Sequence, residues 1–186
     1  MTSRVPAPPC CSMWTCDIQE IHRYNVAVRF SQGVEWMLHS VALLAQAPAG
    51  MAVSRRVLAE HYGLPEPYLA KPLKALVRAG ILTASSGPSG GFRLGRRPED
   101  ITALDIVEAV EGTSPPFICQ EIRQQGTAAL SPADCRKPCA MSTMMDRAHQ
   151  AWRASLRGVT VVDLVKSTPK TIRDRNQADF AARLSG

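Results

Sequence analysis

The sequence predicts a mainly α-helical protein: a winged helix-turn-helix followed by a long helix towards the C-terminus. Three observations predict it. Apolar residues recur at helical spacing along most of the 186 residues. Two short helical runs are joined by a turn containing Gly63. Two short apolar runs around a Gly-rich stretch then follow directly, as a wing would.

The elements follow in order. Residues 1–27 lack an apolar period and hold Pro6, Pro8 and Pro9, so they read as a loose extension, or as sequence ahead of a true start at Val28. Val34, Met37, Leu38, Val41, Leu44 and Ala45 then mark a first helix, with Ser31 as its cap and Pro48–Gly50 as its stop. A second helix runs from the N-cap Ser54 through Val57 and Leu58 to Gly63. The third carries Tyr68, Leu69, Leu73, Leu76 and Val77 and ends at Gly80. Pro67 suits its first turn, whereas Pro72 removes a backbone bond and should kink it.

Ile81-Leu82-Thr83 and Phe92-Arg93-Leu94 read as two strands around a flexible tip. A fourth helix follows Pro98 and closes at Gly112, completing a domain over residues 28–112. Residues 113–138 read as loop with one helical turn at 121–124. A long helix spans about Cys139 to Leu156, and Thr160 with Asp163 three residues on caps a short segment that ends the unit at 166. Residues 167–186 read as a polar, frayed tail. The stripe Met141, Met144, Met145 and Trp152 reads as the core of a dimerisation helix, with His149 and Asp146 beside it as substitute metal ligands.

Charge narrows the function. Residues 28–97 carry nine Lys or Arg against Glu35, Glu60 and Glu66, so the whole net charge of +6 falls in that block. A basic block on a neutral carrier is the footprint of a polyanion-binding module, and it argues against a wing used only for protein docking. The third helix would enter the major groove of double-stranded DNA with Pro67, Tyr68, Ala70 and Lys71 near its exposed start. Lys74, Arg78, Arg55 and Arg56 suit phosphates. In the wing, Gly87, Ser89, Gly90 and Gly91 let backbone approach the sugar-phosphate chain, with Arg93 and Arg96 behind them.

No apolar stretch approaches the ~18 residues needed to span a bilayer, and no basic segment followed by an apolar run opens the chain, so a cytoplasmic protein is expected. In that compartment Cys10, Cys11, Cys16, Cys119, Cys135 and Cys139 suggest metal ligation or redox chemistry before disulfide staples. An enzyme is not expected. No phosphate loop, nucleophile elbow or acid–base pair occurs, and the zinc-deaminase pattern fails where Ser142 follows Pro138-Cys139.

Several motifs together resemble a known family. They are Arg29-Phe30-Ser31, Tyr68-Leu69-Ala70-Lys71, Ala79-Gly80-Ile81, the wing from Ser86 to Leu94, and the run from Asp105 to Gly112. Over about residues 28–165 the chain resembles the winged-helix regulators that include IscR and NsrR. The resemblance implies a homodimer joined by the long helix, a palindromic operator, and often an iron–sulfur cluster in the loop before that helix.

The spacing of Cys119, Cys135 and Cys139 departs from the evenly spaced cysteines of the better-known members, and Ser142 stands where those have a His. With Phe117 to Arg123 ahead of it, the loop is instead similar to the RsrR-like redox-sensing branch. That resemblance implies a 2Fe–2S cluster held by two Cys of one subunit and a Glu and a His of the other. Glu35 and His39 match the latter, and four residues apart they share one helix face. Cys135 and Cys139 form the expected cysteine pair, and Cys119 is a third ligand, an alternative one or a bystander.

Exchanging two thiolates for a carboxylate and an imidazole reduces electron donation and raises the potential, as His ligands do in Rieske centres. Reduction adds negative charge to a weakly solvated interface, which favours proton uptake at His39 or a local rearrangement, with Trp36 as its transmitter. Thiol oxidation among the three cysteines, without a cluster, is the alternative, and structural zinc is another.

Overall fold

The computed structural model of the chain describes residues 30–87 and 90–185. The extension expected over residues 1–27, its three cysteines, Arg29 and Ser89 lie outside the described residues.

Helix α1 (Gln32–Leu44) buries Val34, Met37, Val41, Leu43 and Leu44. Ser31 precedes it, but its side chain does not cap the helix. Its backbone N–H and its hydroxyl instead both donate to Glu111 Oε1, at 2.8 and 2.6 Å. Helix α2 (Arg55–Tyr62) is capped as its sequence requires, with Ser54 Oγ accepting from the Val57 N–H and Gly63 closing it at φ 63°. Helix α3 (Glu66–Arg78) continues through Pro72, whose missing N–H frees one carbonyl a turn earlier while its ring lies buried. Gly33 of α1 sits where an added Cβ would lie 3.8 Å from Pro72 Cβ and 3.4 Å from Val110 Cγ1. That spot is therefore a close crossing of helices.

Strands β1 (Leu82–Ser85) and β2 (Gly91–Leu94) pair antiparallel from Leu82 opposite Leu94 to Ser85 opposite Gly91. Val53 extends the ladder on the far side, exchanging backbone bonds of 3.0 and 2.8 Å with Phe92. That pairing brings the Val53 backbone so close that a Cβ on Gly91 would stand 2.5 Å from the Val53 carbonyl carbon. Gly91→Ala should therefore open the wing and cost about 1–3 kcal/mol, read as a lower denaturation midpoint.

Helix α4 (Ala103–Glu111) and helix α6 (Val161–Ser167) each begin with a complete capping box, Thr102 with Asp105 and Thr160 with Asp163. The two boxes sit side by side. Ala103 N–H donates to the Val159 carbonyl and Val161 N–H to the Ile101 carbonyl, which zips α6 onto the domain. Between them runs α5 (Ala140–Arg157), the long helix, with no residue fully buried within the single chain.

One expectation is corrected. The tail from Ser167 is not frayed: Lys170–Ser185 forms helix α7. Phe180 is 1% exposed within the main core, and the Asn176 amide donates to Gln46 Oε1 at 3.2 Å. The two buried residues, Asn176 and Phe180, stand one turn apart on an otherwise polar helix, so the helix is held by tertiary docking rather than by an evident apolar stripe. No described helix is long and apolar enough to cross a membrane.

Candidate nucleic-acid interface and cysteine site

Helix α3 buries Leu69, Pro72, Leu73, Ala75 and Leu76, which turns Pro67, Lys71, Lys74 and Arg78 outward at helical spacing. Tyr68, at 69% exposure, stands beside them as a large ring presented to solvent. Arg55 and Arg56 lie at the start of α2. The Arg55 Nε pairs with Glu66 Oε1 at 2.9 Å, which ties the starts of α2 and α3 together, and Arg56 pairs with Glu60 at 2.7 Å. Both pairs are exposed, so water screens them and either guanidinium can turn to another anion.

Arg93 lies within the wing, behind its tip, and is already engaged, donating from Nε to the Gly50 carbonyl at 2.8 Å and from Nη1 to Ser85 Oγ at 3.3 Å. It braces the strand against the preceding loop. Arg96 and Arg97 are likewise engaged with the Asp100 carbonyl and carboxylate. Gly90 is packed so closely against the Ser85 carbonyl that any side chain would clash.

The cysteine loop has its own internal order. Cys119, Cys135 and Cys139 are free and half-buried. Cys139 occupies the N-cap position of α5. The backbone N–H groups of Ser142 and Met141, followed by Arg123, hold its thiol below the usual cysteine range, against burial and Glu121. Arg123 also acts electrostatically on Cys135. Glu121 grips the same guanidinium with both oxygens, at 2.5 and 2.8 Å. Arg123 is tied into the segment between Cys135 and Cys139 by its bond to the Lys137 carbonyl, at 3.0 Å.

Glu35 and His39 lie elsewhere, exposed on α1 around a 360 Å³ depression with Phe30, Ser31, Gln32, Val34 and Leu38. Among the described residues no three His, Cys, Asp or Glu side chains of the single chain converge as a metal site. The four expected ligands lie in two separate places, Cys135 and Cys139 at the start of α5 and Glu35 and His39 on α1. That donor set fits a 2Fe–2S cluster if the halves come from two copies of the chain.

Sequence reasoning missed the parts that join these sites. Tyr62, at the end of α2, donates its hydroxyl to the His39 carbonyl at 3.0 Å and lays its ring against both His39 and His61. Burial raises its phenol to about 12, so it remains a donor at any physiological pH. At the other end of α1, Phe30 stacks on Trp152 of α5, and Trp152 on His149, with ring centroids 5.7 and 5.6 Å apart. Trp152 therefore faces its own DNA-binding domain and His149 is an aromatic partner. Arg153 pairs with Glu108 of α4 beside a 550 Å³ cavity along this seam. A signal for the seam existed in Phe30 and Trp152, but nothing local pairs them. Trp36 is half-buried against the main core.

Comparison with known proteins decides the family. Residues 30–167, about three-quarters of the chain, match the Rrf2 model, described as an iron-dependent transcriptional regulator. The chain belongs to the Rrf2 family. Among Rrf2-like relatives, YffB of Lactococcus lactis, which bears the name of an HTH-type transcriptional regulator, is 28% identical over 76% of this chain and 89% of its own. CymR, the global cysteine regulator of Bacillus subtilis, is 25% identical with a TM-score of 0.61, covering 76% of this chain and 99% of CymR. IscR of T. potens shares the fold at 24% identity and a TM-score of 0.59, over 77% of this chain and 90% of that one. The match bears out the expected winged-helix fold and the family. This Rrf2 protein is a DNA-binding regulator of transcription and not an enzyme.

Proposed function

We propose that the protein acts as a homodimer on a palindromic operator, and that the redox state of a 2Fe–2S cluster switches its grip. In this reading Cys135 and Cys139 of one subunit and Glu35 and His39 of the partner subunit hold the cluster. The observation that carries it is that the two sets of expected ligands stand apart within one chain, so neither completes a metal site alone among the described residues. Cys135 and Cys139 flank the Lys137 carbonyl that Arg123 binds, and a carboxylate and an imidazole stand exposed without a hydrogen-bonding or ionic side-chain partner among the described residues. The exposed Met141 (58%) and Met144 (57%) on α5, with Ile118 and Ile122 on the loop, supply an apolar face for a second copy.

When bound, the cluster would supply a one-electron couple accessible to cellular oxidants and reductants. The chain's own residues do the rest. His39 rests on Tyr62, so a shift of its ring or backbone reaches the end of α2 and the Gly63 turn into α3. Trp36, next to Glu35, packs on the same core and is the second route. The Phe30–Trp152 stack and the Arg153–Glu108 pair hold α5 against the start of α1 and α4, so the dimer helix and the DNA-binding domain turn together.

The test is an anaerobic preparation with iron and sulfide analysis, a dithionite titration followed by EPR, and operator binding in both states. Two iron and two sulfide per subunit, bleaching reversibly, are expected. Cys135→Ala, Cys139→Ala, Glu35→Ala and His39→Ala should each abolish the redox response. Trp36→Ala and Tyr62→Phe should keep the cluster and weaken the response, and full control in both would end the proposed routes. A colourless protein that takes up no iron on reconstitution would favour thiol sensing. The lowered Cys139 thiol supports that second reading, since thiolate character selects a cysteine for oxidation.

A further inference from the structure

Glu121 is the only non-glycine among the described residues with a positive φ, at φ 48° and ψ 50°. Residues with a side chain adopt this left-handed conformation only where their surroundings hold them there. Here it turns the carboxylate back onto the residue two places on, where it forms a bidentate pair with Arg123. Arg123 Nη2 also donates to the Lys137 carbonyl at 3.0 Å, and the Arg123 carbonyl accepts from the Leu130 N–H at 2.8 Å. One residue thus ties the entry, the middle and the exit of the cysteine loop. Arg136 and Lys137 are nearer to the cysteines in sequence, yet it is Arg123 whose side chain is bonded into the segment between Cys135 and Cys139, at the Lys137 carbonyl.

We propose that Arg123 is the positioning residue of this site: clamped by Glu121 and the Lys137 carbonyl, it holds the Cys135 and Cys139 sulfurs ready for a metal centre and offsets the negative charge that reduction adds there. The proposal rests on the cluster reading above. Its electron count is simple: one electron passes from the reductant, dithionite in the test, to the centre, and Arg123 gains and loses no proton. A lysine would keep the charge but not the planar fork that binds Glu121 and the carbonyl at once.

The experiment uses the full chain with Arg123→Met, Arg123→Lys and Glu121→Gln. Metal-free, thiol-reduced protein is titrated with Co(II) and followed by the thiolate-to-cobalt charge-transfer band, and the iron-loaded protein is titrated for its midpoint potential. Arg123→Met should bind Co(II) about tenfold more weakly. It should also favour the oxidised form about tenfold at fixed ambient potential, a shift of about 59 mV for a one-electron couple. Arg123→Lys should restore the potential but not the cobalt affinity, and Glu121→Gln should lower the affinity alone. The loop is at the surface, so the thermal melt should not move.

Wild-type values for Arg123→Met in both titrations overturn the proposal, and an unmoved potential with weaker cobalt binding overturns its charge role. A wild type that binds Co(II) through thiolates but never assembles a cluster ends the cluster reading, while the cobalt comparison still judges Arg123.

Discussion

Phe180→Ala is expected to destabilise the protein by about 3–5 kcal/mol and to release helix α7 from the domain. The ring is 1% exposed and packs in the main core, so its removal leaves a cavity in well-packed surroundings. Asn176 adds one amide bond to Gln46, and His61 Nδ1 stands 3.9 Å from Asp179 Oδ2. Urea denaturation gives the stability change, and limited proteolysis near Pro169 reports the release. Ile172→Ala, on an exposed residue of the same helix, is the control and should change little. An unchanged midpoint on truncation after Ser167 would show that α7 contributes nothing to the core.

The same docking should weaken in acid. His61 is held below its ordinary 6.5, first by burial and then by Arg175 and Arg183, against the raising influence of Asp179. A folded-state value below the unfolded one means that the neutral ring belongs to the docked form. Its contribution is therefore complete above about pH 6.5 and is lost as pH falls through the lower folded value. His61→Gln should flatten that dependence.

The second large effect concerns DNA. Replacing Lys71, Lys74 and Arg78 together by Gln should lower the slope of log affinity against log salt by about 2.7, if each side chain neutralises one phosphate. Between 50 and 200 mM salt the wild type would then lose about 40-fold more affinity than the variant. All three residues are exposed on α3, so the fold should not change. Tyr68→Ala should act differently. Its ring is exposed at the start of α3, the end expected to enter the major groove, so discrimination between operator and random DNA should fall while the slope holds. An unchanged slope in the triple variant would move the phosphate contacts to α2 and the wing.

How much of this was legible in the sequence depends on how far apart the interacting residues lie. Ser54, Gly63, the Thr160–Asp163 box and the strands around the wing were readable because caps and turns are settled within about one turn of chain. The outward face of α3 followed from its apolar period, and the basic block followed from counting. The family was legible too, because its wing and Glu-Gly motifs are contiguous.

Only the tertiary structure decided the rest. Ser31 bonds to Glu111, Phe30 stacks on Trp152, and Asn176 reaches Gln46 across 130 residues, and no local signal chooses such partners. Arg93 looks in sequence like a free cation, but the Gly50 carbonyl and Ser85 engage it once the wing closes. Helix α7 is polar over most of its length, so its buried Phe180 becomes meaningful only when the main core that it joins has formed. Arg123 lies four residues from Cys119, and only the folded loop brings it to Cys135 and Cys139 instead. Caps, turns and periodicity belong to short stretches of chain, whereas shared ions, ring stacks and docked helices are contacts that exist only after distant segments have packed.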